Sequence, residues 1–177
     1  IAPAELNYLA NKVLYQNLNR LNESRPITIV SMLLYQTGEI KISGFHDNIY
    51  IYRAKTGCVE KISVNTIPFG LGLTDSISKS EFQETSQRIS DDDLVFIGTD
   101  GITEANQGGE FTQPQFAEEN LMKFIKKYGG LSDIDGFKDK LITQLDEYTN
   151  KVYHDDLTFI VLRAKALASQ SKRAVES

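Results

Sequence analysis

The sequence predicts an α+β domain built in layers, and three observations carry that expectation. An amphipathic helical pattern opens the chain, short β-branched runs separated by turn residues follow, and two further helical patterns precede one returning apolar run. Strands grouped together, then helices, then a strand again describe α+β layering, because a βαβ alternation would interleave them. A length of 177 residues suits one domain with its own core. A hydrophobic share of 41% with only 4 Pro argues against disorder.

Leu6, Leu9, Ala10, Val13, Leu14, Leu18 and Leu21 recur at three- and four-residue steps with polar residues between them, which predicts an amphipathic helix of about five turns. Pro3 sits where a helix start tolerates it. Pro26 opens a run from Ile27 to Tyr35 that is too continuous and too β-branched for a surface helix, and reads as a buried strand. Thr37-Gly38 turns into an alternating strand, Glu39 to Ser43. A second alternating strand runs from Asn48 to Arg53 before the turn Lys55-Thr56-Gly57, giving an antiparallel meander. Pro68, Gly70 and Gly72 mark a loop, and Phe82 to Ile89 reads as a further strand. Ser90-Asp91-Asp92-Asp93 is a polar turn into Leu94-Val95-Phe96-Ile97, an interior strand ending on Gly98-Thr99-Asp100-Gly101. Helices are expected over Gln113 to Tyr128 and Asp133 to Lys151, split by Gly129-Gly130. The last strand, Leu157 to Leu162, reads apolar on both faces as a central strand does, and 164–177 reads as a flexible tail.

Composition excludes several classes of function. Twenty-four acidic against nineteen basic residues give a net charge of −5, so a phosphate backbone gains no general attraction and nucleic acid is not the expected partner. One Cys and two His cannot assemble a Cys/His zinc site or an internal disulfide, so a metal here must be held mainly by oxygen. No stretch approaches the ~20 apolar residues of a membrane span, so no membrane is expected for this segment and the expected location is the cytoplasm. The chain starts at Ile1, without an initiator Met and almost directly in a helical pattern, which is expected of a piece of a longer polypeptide.

The residues that could carry chemistry sit at the ends of apolar strands. Asp100 follows Leu94 to Ile97, and Asp155-Asp156 precedes Leu157 to Leu162. If these strands are antiparallel neighbours, the carboxylates converge into a hard oxygen site suited to Mg²⁺ or Mn²⁺, which bind through few protein ligands and keep several waters. The plainer reading of the spacing is that Asp100-Gly101 is a turn and Asp155-Asp156 a solvated strand start. His46-Asp47 reads as an acid/base pair or substrate contact, or else as a surface pair. His154 could tune a metal shell. Gly70-Leu71-Gly72 lacks the full dinucleotide fingerprint, and Cys58 has no basic partner to activate it.

The segment Phe96-Ile97-Gly98-Thr99-Asp100-Gly101-Ile102-Thr103-Glu104-Ala105, taken with His154-Asp155-Asp156-Leu157-Thr158-Phe159-Ile160-Val161-Leu162, resembles the paired signature of the stage II sporulation protein E family. These are bacterial, protein phosphatase 2C-like serine phosphatases. Pro3 to Asn19 resembles the family's second helix, Gly44-Phe45-His46 its Gly-His turn, and Pro68-Phe69-Gly70-Leu71 its Pro-Leu-Gly-Leu element. The resemblance implies a phosphatase-like domain over 1–163 with an αββα sandwich. Asp100 and Asp155 would ligate Mn²⁺ or Mg²⁺ in what is a two-metal centre in the family. Gly101 would allow close backbone approach, and Asp156 would stand beside the ligands. It also implies metal-activated water attacking phosphoserine or phosphothreonine with no covalent phosphoenzyme, and as partner a phosphorylated regulatory protein such as an anti-sigma-factor antagonist.

The chain departs from the family pattern in one respect that bears on function. The family's two N-terminal strands and first helix, with an acidic metal ligand, an Asp-Gly pair and a Ser-Gly-His-Gly-like turn, have no counterpart in this sequence. Asp47-Asn48 also replaces the prolines that follow the Gly-His turn, which weakens a substrate-shaping role for His46. Two expectations result: a partial phosphatase domain whose parent protein is active, or a catalytically incompetent phosphatase-like module for interaction or regulation. Open sheet edges would favour pairing with another chain, a homodimer included.

Overall fold

The computed structural model describes residues 1–165. Of the tail expected at 164–177, the part from residue 166 on lies outside the described residues. The chain folds as two compact units, one made of Ile1–Ile49 and Lys61–Ile89, the other of Tyr50–Glu60 and the chain from Ser90.

The first unit opens with helix α1, Pro3–Arg20, which carries Pro at its start as expected. Its buried face differs from the expected stripe. Pro3, Asn7 and Asn11 are buried, while Leu6, Leu9 and Val13 remain 46%, 47% and 59% exposed. The reason is tertiary hydrogen bonding. Asn11 donates Nδ2 to the Thr74 carbonyl (2.8 Å) and accepts the Gly72 amide on Oδ1 (2.8 Å), and Asn7 accepts the Ser31 hydroxyl (2.6 Å). A side chain that satisfies loop backbone groups outcompetes leucine at those positions. Ala4, Tyr8, Ala10 and Leu14 then pack on a small core of Ile67, Leu71, Ile77 and Phe82.

Strand β1, Ile29–Leu34, pairs antiparallel with the first part of β2, Glu39–Arg53, in the register Ile29↔Phe45 to Leu34↔Ile40. The expected buried strand is therefore shorter and only half-buried, with Leu33 and Leu34 exposed. Strand β3, Cys58–Asn65, pairs with β2, and β4, Thr85–Arg88, pairs with Glu39–Ile42. Two strands were expected where β2 runs unbroken. Gly44 and Phe45 stay extended because β1 continues its pairing onto them and Thr66 bonds Gly44 at both N and O (2.8 and 2.9 Å). His46 and Asp47 thus lie within a strand and not in a turn.

In the second unit the end of β2 pairs with β5, Leu94–Gly98, through Tyr50↔Phe96 to Tyr52↔Leu94, and β5 pairs on its other side with β6, Phe159–Arg163. Leu94 to Ile97 are buried, as an interior strand requires. Strand β6 differs from expectation: among the described residues it is paired only with β5, and Ile160 (53%) and Leu162 (36%) are exposed. Asp93, expected in a solvated turn, is 2% exposed. It accepts bonds from Arg53 Nη1 (3.0 Å), the Ala54 amide (2.9 Å) and the Ser90 amide (3.0 Å). Arg53, whose pKa is raised chiefly by its bond to Glu60, links that carboxylate to Asp93.

After β5 come a single helical turn, α2 (Asp100–Thr103), then α3 (Ala117–Tyr128) and α4 (Ile134–Thr149). Helix α3 starts later than its apolar period suggests, because the Gln107 and Phe116 amides bond the Pro114 and Ala105 carbonyls, an antiparallel bridge between Asn106 and Gln115 that keeps Gln115 out of the helix. Asp133 caps α4 by accepting the Asp135 and Gly136 amides, and left-handed Asn150 ends it. Phe96 of β5 meets Phe137 of α4 (6.3 Å between rings), which meets Phe124 of α3 (5.1 Å). With Ile125, Leu141 and Leu145, all 0% exposed, these rings form the core that fixes the helices over the strands.

Candidate functional site

The second unit places Asp100-Gly101 against Asp155-Asp156, and the β5–β6 ladder is the cause. Gly98 pairs with Phe159, so the chain leaves β5 beside the point where it enters β6. Thr99 extends the ladder by one step: its amide bonds the Thr158 carbonyl (2.9 Å) and its hydroxyl accepts the Thr158 amide (3.2 Å). The same hydroxyl lies 3.2 Å from the Asp156 carbonyl, to which it can donate. Its side chain is thereby used across the strands and makes no cap for α2. Ile102, 0% exposed, anchors α2 in the core, and the turn closes by the Glu104 amide bonding the Asp100 carbonyl (2.8 Å).

Gly101 is the contact point. A Cβ at this position would stand 2.5 Å from the Asp156 carbonyl oxygen and 3.2 Å from its carbon. Only glycine lets the two backbones lie this close. Gly101 and Asp155 also line one cavity of about 370 Å³. The side chains of Asp100, Asp155 and Asp156 are exposed, and Asp155 Oδ1 accepts the Asp156 amide (2.8 Å).

The other expected site residues fall as follows. His154 is exposed, stacks on Phe111 with ring centroids 3.8 Å apart, and its Nε2 lies 2.8 Å from the Gly109 carbonyl. His46 belongs to the first unit, where its Nδ1 is buried with no hydrogen-bond partner among the described residues. Sequence reasoning passed over Glu104, Phe111 and Tyr153, which line the cavity with Gly101 and Asp155. Tyr153 bonds Asp146 (2.8 Å), and burial, followed by that bond, raises its pKa above the ordinary 10.0. The available signal was Phe111, an aromatic residue in the polar, glycine-rich loop Gly108-Gly109-Glu110-Phe111-Thr112.

The donor set suits a hard cation in kind: carboxylates at the surface, beside a cradle that a Cβ would fill. In number it is minimal, since among the described residues no three His, Cys, Asp or Glu side chains gather to hold an ion. Mg²⁺ and similar ions bind through one or two carboxylates with water completing the shell, so the residues fit a water-rich, weakly held ion. Among the described residues no helix is long and apolar enough to cross a membrane.

The fold has known relatives. The SiaA-PP2C domain of Pseudomonas aeruginosa superposes with a TM-score of 0.72 at 13% identity, over 93% of this chain and 61% of that one. The RsbU and RsbW domains of a Mycobacterium tuberculosis protein give 0.67 at 18% identity, over 86% and 40%. The catalytic domain of the serine threonine protein phosphatase PstP, in complex with 2 manganese ions, gives 0.61 at 12% identity, over 91% and 70%. At such identities the likeness shows the fold, which is that of protein phosphatase 2C-like domains. The chain spans less than two thirds of the first two relatives' length. No curated protein matches it. The family described as Stage II sporulation protein E (SpoIIE) matches residues 1–165, and this match shows that the chain, with its phosphatase 2C-like fold, belongs to the SpoIIE family.

Proposed function

We propose that this chain carries the Asp100 and Asp155 side of a metal-dependent protein serine/threonine phosphatase site. Its substrate would be a phosphoserine or phosphothreonine on a regulatory protein of the anti-sigma-factor antagonist type. The observation that supports this most is the β5–β6 register, which sets Asp100-Gly101 against Asp155-Asp156 through a contact only glycine allows. Asp100 and Asp155 would hold Mn²⁺ or Mg²⁺, with Asp156 beside them, and the bound ion would supply a water of lowered pKa and a counter-charge for the phosphoryl oxygens. The chain's own contribution is positional. Thr99 fixes the spacing of the two segments, Gly101 keeps them in contact, and the exposed carboxylates leave room for water.

Paramagnetic Mn²⁺ tests this on the 177-residue chain without requiring turnover. Selective NMR line broadening is expected at residues 99–101 and 155–157, and Asp100→Asn or Asp155→Asn should remove it. Broadening centred elsewhere, or unchanged in both variants, refutes the assignment. Hydrolysis of p-nitrophenyl phosphate with Mn²⁺ then reports activity.

A second reading, a phosphatase-like interaction module without catalysis, is favoured by the minimal donor set and by the exposed Ile160 and Leu162 on β6. Metal-independent binding of a phosphorylated partner, with no hydrolysis, would support it over the first.

A further inference from the structure

The cavity beside Asp155 has an aromatic wall that neither phosphate nor metal chemistry explains. Glu104 and Asp155 contribute two carboxylates, Phe111, Tyr153 and His154 contribute aromatic surface, and among the described residues no Lys or Arg lines it. Its volume of about 370 Å³ is at the small end of ligand sites, enough for one long side chain and too small for a nucleotide with its sugar and phosphates. An anion entering it would meet two like charges. An apolar group would strip water from Glu104 with nothing in return. A planar cation suits both kinds of wall, stacking on an aromatic face and bonding a carboxylate through two N–H groups.

The aromatic wall is preset. Phe111 is 76% exposed, held by its stack on His154 and not by burial in a core. His154 is tied in turn to the Gly109 carbonyl, and Gly109, at φ +72°, lies so close to Val152 that a Cβ there would collide with it. The loop at 109–111 is thus pinned to the segment at 152–154. Should Asp155 be engaged by an ion, Glu104 keeps its charge for the cavity.

We infer that this cavity is a subsite for an arginine side chain lying close in sequence to the phosphorylated residue of the protein substrate, with Glu104 as its ion-pair partner and Phe111 as its stacking face. The inference rests on the phosphatase reading only in placing a phosphoserine next to the cavity.

The test uses short capped peptides with a central phosphoserine flanked by one Arg, by one Glu or by Ala alone, with unphosphorylated Arg and Ala counterparts. They are titrated into the isotopically labelled 177-residue chain and followed by NMR. The Arg peptide is expected to bind about tenfold more tightly than the Ala peptide and to shift the Phe111 and His154 ring resonances. Glu104→Gln should bring the two peptides to parity, and Glu104→Lys should favour the Glu peptide. Glu104 is exposed, so these variants retain the fold; Phe111→Leu provides an independent loss of the stacking face. Equal affinities in the wild type, or an Arg preference untouched by Glu104→Gln, overturn the subsite. Failure of the phosphatase reading looks different: no Mn²⁺-dependent hydrolysis of p-nitrophenyl phosphate, while the unphosphorylated Arg peptide still binds more tightly than its Ala counterpart.

Discussion

Gly101→Ala separates the two things this glycine does. The new Cβ would sit 2.5 Å from the Asp156 carbonyl oxygen, where non-bonded carbon and oxygen are not found within 3.0 Å. The obstacle is backbone on both sides, so α2 and the segment before β6 must part by at least about 0.5 Å. Overpacking of this kind costs about 1–3 kcal/mol. The gain from Ala over Gly inside a helical turn returns about 1 kcal/mol, leaving a net loss of roughly 0–2 kcal/mol. Chemical denaturation should therefore show a folded protein with a slightly earlier midpoint. Geometry is less forgiving, since a misplacement of about 1 Å in a reacting constellation can cost about 10²-fold. Mn²⁺-induced broadening at residues 99–101 and 155–157 should weaken far more than stability does. A variant with unchanged stability and an unchanged Mn²⁺ response would show that the backbone contact does not set the site, and would refute the reasoning from Gly101.

Other substitutions probe the supports around that contact. Asp93→Ala leaves the Ala54 and Ser90 amides without their acceptor and removes a partner of Arg53, and should destabilise the chain by about 3 kcal/mol in urea titration. Thr99→Val keeps the shape of the side chain but loses the hydroxyl's bonds to Asp156 and Thr158, just before β6; faster amide exchange at Thr158 is expected, with Thr99→Ser restoring wild-type protection. Glu5 has its pKa lowered below 4.5 by its hydrogen bond with Lys79, so its contribution is present above that value and is lost as pH falls through the lower folded one. Glu5→Gln should accordingly reduce thermal stability at neutral pH, have no effect in strong acid, and lose its effect in high salt.

Much of the second unit was legible in the sequence because its cues are local. Leu94 to Ile97 is a short apolar run and is buried, and its Asp-Gly exit lies beside the Asp-Asp entry to β6 because the two strands pair, as an antiparallel arrangement demands. The first unit hid more. No periodicity distinguishes Asn7 and Asn11 from surface residues, because what buries them is the carbonyl of Thr74, the amide of Gly72 and the hydroxyl of Ser31, all distant in sequence. Likewise β2 continues through Asp47-Asn48, residues that favour turns, because its hydrogen-bond partners at Gly44 and Phe45 come from elsewhere in the chain.

Asp93 and the cavity wall illustrate the same limit nearer the site. A run of three aspartates has the composition of a solvated turn, yet Asp93 is buried because two amides and Arg53 converge on it, a condition set by the path of the chain and not by its polarity. Phe111 and His154 are 43 residues apart, and neither has a helical or strand period around it that would pair it with the other. Their stack exists because α3 and α4 fold back over β5 and β6 and return residue 154 to the loop at 109–111. The carboxylates proposed to bind metal could be sought from sequence because one ladder positions the segments that carry them. The residues that would choose among substrates could not, because their proximity is a product of the whole unit.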